Sequence, residues 1–110
     1  MPLVKVFNLR SEDPLAAIEE AVRGAMTSLP ALEIRGDEVD VVQMRAPDDA
    51  LATVARIDLD LWEGPARTKA GLQELAANVA RAFQSVVGQE RKVKVVIQPY
   101  DVETSGWVSF

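Results

Sequence analysis

The chain contains no cysteine and no histidine. The first absence removes disulfides and thiolate chemistry and suits a reducing compartment. The second removes the side chain that most often moves protons near neutral pH and most often ligates transition metals. No metal-ligand spacing remains, and no cofactor is expected. Aromatic residues are only 5% of the chain, so its two tryptophans, one tyrosine and three phenylalanines carry much of the apolar burial on offer. No apolar run approaches the roughly 20 residues of a bilayer-spanning helix, and no basic-then-apolar leader is evident. Positive charge is the scarcer sign: 12 Lys and Arg stand against 17 Asp and Glu, a net charge of -5. A surface of that sign argues against nucleic acid and membrane as partners, since neutralising phosphates needs cations. The expectation is a cytoplasmic protein that acts on small molecules or on other proteins.

What is present is ordinary for a folded domain. With 110 residues, 48% hydrophobic and 26% charged, one core and a single domain over 1–110 are expected, with a subunit interface adding to the burial of so small a chain. Residues 3–9, Leu-Val-Lys-Val-Phe-Asn-Leu, are rich in β-formers and read as a strand. Ser11-Glu12-Asp13-Pro14 supplies a capping hydroxyl or carboxylate ahead of a first-turn proline, after which Leu15, Ile18, Val22, Ala25 and Met26 share a helical face. A second strand is expected over 38–44. A third runs from Thr53 to Trp62, where Ile57, Leu59 and Leu61 alternate with Arg56, Asp58 and Asp60. Thr68 is placed to cap a second helix carrying Leu72, Leu75, Val79 and Phe83, which Gly88 would stop; residues 92–98 make the fourth strand.

Strand, helix and strand are thus written twice. At an offset of 57, Arg10, Ser11, Leu15, Ile18 and Val22 meet Arg67, Thr68, Leu72, Leu75 and Val79, and at an offset of 55 Val41-Val42-Gln43 meets Val96-Ile97-Gln98. The predicted class is α+β: two β-α-β repeats, about 1–50 and 51–110, forming a four-stranded mixed sheet with two helices on one face. Right-handed crossovers make the strands of each repeat parallel. The opposite face would be left bare, with apolar alternates of strands one, three and four asking for a subunit partner. A ferredoxin-like module has a similar string of elements, but its sheet is antiparallel throughout.

Pro2 at the head of the first strand, the duplicated pattern, the Glu63-Gly64-Pro65-Ala66-Arg67 turn and a tail with Tyr100-Asp101-Val102 and Gly106-Trp107 together resemble the tautomerase superfamily. The similarity is to its two-repeat branch, the macrophage migration inhibitory factor group and 5-carboxymethyl-2-hydroxymuconate isomerase. The resemblance implies removal of Met1, Pro2 as catalytic base, and homotrimers that bury the open sheet faces. It implies a tautomerase or isomerase moving a proton on a small carboxylated keto-enol substrate, or, alternatively, a catalytically silent oligomer of the same fold that serves as scaffold or small-molecule binder. Arg67 is the candidate for the substrate carboxylate, because a guanidinium pairs with it through a fork. Tyr100 and Trp107 would wall the pocket, the phenol polarising a developing enolate. Each also suits a plainer role, Arg67 as a charge at a helix start and the aromatics as packing. With Met1 retained, the nitrogen of Pro2 is an amide without basicity.

Overall fold

The computed structural model describes residues 2–101, 103–106 and 108. Four strands, β1 (Leu3–Leu9), β2 (Asp40–Arg45), β3 (Val54–Trp62) and β4 (Lys92–Tyr100), form one sheet in the order β2-β1-β3-β4. Within each repeat the strands run parallel, β1 with β2 and β3 with β4, and the repeats join through the antiparallel pair β1–β3. Parallel pairing inside each half excludes the ferredoxin-like alternative. Helices α1 (Leu15–Met26) and α2 (Lys69–Val87) are the crossovers.

The sheet alternates as its period of two requires. Val4 and Val6 of β1 and Ala55, Ile57, Leu59 and Leu61 of β3 are buried, and Ile18, Val22 and Met26 of α1 with Leu75, Val79 and Phe83 of α2 pack into the same core. At the end of β1 the alternation shifts by one. Asn8 takes φ 62, the pairing with β2 breaks between Val6 and Leu9, and Leu9 turns into the core. A short polar side chain tolerates that left-handed geometry better than most, so the bulge sits where the sequence can bear it.

The helix termini divide. Thr68 caps α2, its hydroxyl accepting from the Gly71 N–H at 3.1 Å, and Gly88 ends the helix at φ 119, both as the sequence leads one to expect. Ahead of α1 the expectation fails: Pro14 is itself the capping residue and its side chain makes no bond. Ser11 instead donates its N–H and hydroxyl to Asp49, at 2.8 and 2.6 Å. The Asp13 carboxylate accepts from the Arg10 N–H and from Arg91.

Two expectations about sheet faces are corrected. Val41 packs on the core and Gln43 donates to the Leu15 carbonyl, so both face the helices, whereas Val96 and Gln98 line the open face and Ile97 packs on the core. The offset of 55 therefore mismatches the strands by one residue; an even offset is what brings equivalent faces together. The open face is also less apolar in β3 than anticipated. Arg56 and Asp58 pair there at 2.7 Å, and Lys5 of β1 reaches Asp60 at 2.8 Å. Its exposed apolar side chains include Val42 and Met44 of β2 and Val54 of β3.

Candidate functional site

Because β1 runs against β3, the start of β1 lies beside the end of β3, with Leu3 opposite Asp60. Because β4 runs with β3, it finishes at the same end, with Trp62 opposite Tyr100. One edge of the sheet therefore gathers Pro2, Trp62, Tyr100 and the turn that leads into α2. Three of the sequence-predicted residues, Pro2, Arg67 and Tyr100, belong to this end. Trp107 lies outside the described residues. Arg10 and Arg45 sit at the other end, where the Arg10 Nε donates to the Ala52 carbonyl and Arg45 to the Arg10 carbonyl.

Pro2 is buried, and its carbonyl accepts from the Asp40 N–H at 3.0 Å, extending the β1–β2 ladder by one step. Arg67 reaches back over the sheet end. Its Nε donates to the Leu32 carbonyl at 3.2 Å and its Nη1 to the Trp62 carbonyl at 2.6 Å, tying the first repeat to the end of β3. A guanidinium has five N–H donors, so two of them are committed. The Trp62 ring meets the Tyr100 ring edge-on, with centroids 6.1 Å apart and planes at 69°. The Glu63 N–H donates to the Tyr100 carbonyl at 2.8 Å, which carries the β3–β4 pairing into the turn. Trp62 thus joins the two candidates, its carbonyl held by Arg67 and its ring against Tyr100. In the sequence it stood out only as the end of a strand.

Three cavities surround this end. The largest, about 840 Å³, lies on the helix side between α2 and the edge strand β4, where Arg67 and Lys69 enter it together with Glu63, Asp101 and Glu103. A second, about 460 Å³, is framed by Leu3, Asp60, Leu61, Trp62, Tyr100 and Gly106. A third, about 390 Å³, lies on the open face over the Lys5–Asp60 pair. Arg67 and Tyr100 therefore open into different cavities. Pro2 is not among the lining residues of any of the three, although its neighbour Leu3 lines the second. The hydrogen bond from Lys5 to Asp60 holds the ammonium above the usual lysine range, so this cation stays charged. Among the described residues no cluster of acidic side chains is arranged to hold a metal ion, and no helix is long and apolar enough to cross a membrane.

No family model matches the sequence, and no curated protein does. Solved structures match over nearly the whole chain. A fused 4-OT asymmetric trimer is 18% identical with a TM-score of 0.77, covering 96% of this chain and 91% of that one. A 5-carboxymethyl-2-hydroxymuconate delta-isomerase is 17% identical with a TM-score of 0.71, covering 100% and 88%. A malonate semialdehyde decarboxylase inhibited by 3-bromopropiolate is 18% identical with a TM-score of 0.70, covering 97% and 89%. At such identities the likeness is one of architecture, and the fold of this chain is that of the tautomerase superfamily.

Proposed function

We propose that this chain, with Met1 removed, is an isomerase that moves a proton on a small carboxylated keto-enol compound, with Pro2 as the base. The observation that carries the reading is the position of Pro2, buried at the head of a central strand, at the same end of the sheet as Trp62 and Tyr100 and beside Leu3, which lines a cavity. An α-amino nitrogen titrates near pH 7.7 to 8. Burial disfavours the charged form of such a nitrogen, which leaves a base active at neutral pH. That nitrogen takes the proton beside the substrate carbonyl, leaving an enolate, and returns it at another carbon of the conjugated system. Arg67 meets the carboxylate with the donors it does not spend on Leu32 and Trp62, and the Tyr100 phenol donates to the enolate oxygen. The names of the similar structures, an isomerase and a decarboxylase among them, support acid-base chemistry on small carboxylates. Those described as trimers support a homotrimer of this chain.

Two measurements test this. Intact mass of the purified protein should lack Met1. Ketonisation of phenylenolpyruvate should then fall about 10²- to 10⁴-fold in Pro2→Ala, the usual contribution of a positioned base. One observation favours the second reading, a silent oligomer: the Arg67 guanidinium is already engaged by two backbone carbonyls, a structural use of the side chain. A mature protein that keeps Met1, or equal rates for the two proteins, decides for that alternative.

A further inference from the structure

The large cavity between α2 and β4 has a composition that Pro2 chemistry does not explain. Its floor is apolar and only half-buried: Leu72 and Ala76 of α2 face Val95, Ile97 and Pro99 of β4. This follows from topology. β4 is an edge strand, α2 crosses beside it, and α1 packs over the other half of the sheet, so this flank lacks a covering layer. The charges around the floor are arranged by sign. Both cations, Arg67 and Lys69, come from the entry to α2, whereas Asp101 and Glu103 come from the segment after β4, with Glu63 from the turn. Arg67 has two donors fixed on carbonyls, while Lys69 makes no ion pair or hydrogen bond with any described residue.

From this we infer that the cavity binds an amphipathic monocarboxylate, with Lys69 and the free edge of Arg67 holding the head group and the apolar floor taking an unbranched or aryl tail. About 840 Å³ lies within the roughly 300 to 1,000 Å³ usual for small-molecule sites, and a compact diacid would leave the floor unfilled. A dicarboxylate is further disfavoured by charge, because its second carboxylate would meet Asp101 and Glu103, and like charges at close range oppose binding. The inference names the ligand class for the site that includes Arg67 and rests on the proposed function to that extent; it requires neither Met1 removal nor Pro2.

The full-length protein would be titrated with octanoate, butanoate and suberate and followed by backbone amide shifts and calorimetry. Octanoate should saturate, with shifts confined to residues 67–76 and 93–101. Affinity should rise by about twofold or more per methylene from butanoate, against a ceiling near fourfold for a fully buried one. Suberate, equal to octanoate in length, should bind at least about fivefold more weakly. Lys69→Glu, at an exposed position that leaves the fold intact, should cost octanoate about fivefold, and Ala76→Trp should abolish the site by filling it. Suberate binding as tightly as octanoate, no dependence on chain length, or unchanged affinity in Lys69→Glu would each overturn the inference. Octanoate should bind Pro2→Ala as it binds the parent, so a failed ketonisation assay leaves the ligand class standing. Conversely, Pro2-dependent ketonisation without octanoate binding removes the ligand class and leaves the isomerase.

Discussion

Among the described residues Asp13 and Arg91 are the two charged ones that are buried, 7% and 4% exposed, and they form a two-pronged pair at 2.9 and 2.7 Å that joins the β1–α1 turn to the α2–β4 turn. The carboxylate also accepts from the Arg10 N–H at 2.6 Å, and the Arg91 guanidinium carbon lies 5.9 Å from the Phe83 ring centroid. Burial pushes the Asp13 carboxyl upward, but the bonds from Arg91 and from the Arg10 backbone outweigh it, and the group ends below the ordinary aspartate value. A depressed carboxyl stabilises the fold at pH values above its unfolded pKa, and that contribution is lost as pH falls through the folded one. Arg91→Met strands a buried anion and is expected to cost about 3 to 5 kcal/mol in urea unfolding, whereas Asp13→Leu with Arg91→Met together should cost less than Arg91→Met alone. The double variant should also lose less stability than the parent as pH falls below the ordinary aspartate value. None of this was legible in the sequence. The partners are 78 residues apart, and an isolated arginine before a strand reads as a solvated charge.

At the scale of elements, legibility follows the range of the interactions. The α2 boundaries were readable because both devices are local: Thr68 bonds three residues ahead, and Gly88 needs only its own backbone. Thr68→Ala should therefore cost about 1 kcal/mol. Gly88→Ala should cost about 1 to 3 kcal/mol, since φ 119 with ψ 146 is nearly closed to other residues. An added Cβ would also stand 2.4 Å from a Glu90 carboxylate oxygen. Thermal melts at one pH would measure both. The start of α1 was misread because Ser11 and Asp13 offer the right groups at the right spacing, yet distant partners, Asp49 and Arg91, claim them. The strand offset erred for a related reason. Val-Val-Gln and Val-Ile-Gln match as letters, but which face each residue takes is set by pairing with β1 and β3, and identity of letters does not contain it. Arg67 lies at the end of the sheet where β3 finishes, while its tie to Leu32, 35 residues away, depends on the completed fold.

For the whole molecule, the unresolved demand is the open face of the sheet. Both helices lie on one side, and the other presents Val42 and Met44, 45% and 46% exposed, with Lys5 of β1 opposite Val42. Two ion pairs on this face close within the chain, Lys5 with Asp60 and Arg56 with Asp58, so covering that part strands no isolated ion, whereas Lys92 and Lys94 of β4, on the face opposite Val93 and Val95, make no ion pair with a described residue. If a homotrimer covers it, sedimentation should give three times the 12.0 kDa chain mass. Association driven by apolar burial over Val42 and Met44 should leave that mass little changed by added salt, because screening acts on exposed charges and leaves hydrophobic association intact. Val42→Glu with Met44→Glu places two anions on the edge strand at positions already wet in the monomer, so the folded chain should survive, with a melting curve like the parent's at concentrations where both are dissociated. The assembly should not. The double variant should sediment as a monomer at concentrations where the parent is associated, and a parent that is itself monomeric, or a variant that remains associated, would remove the open face as the interface.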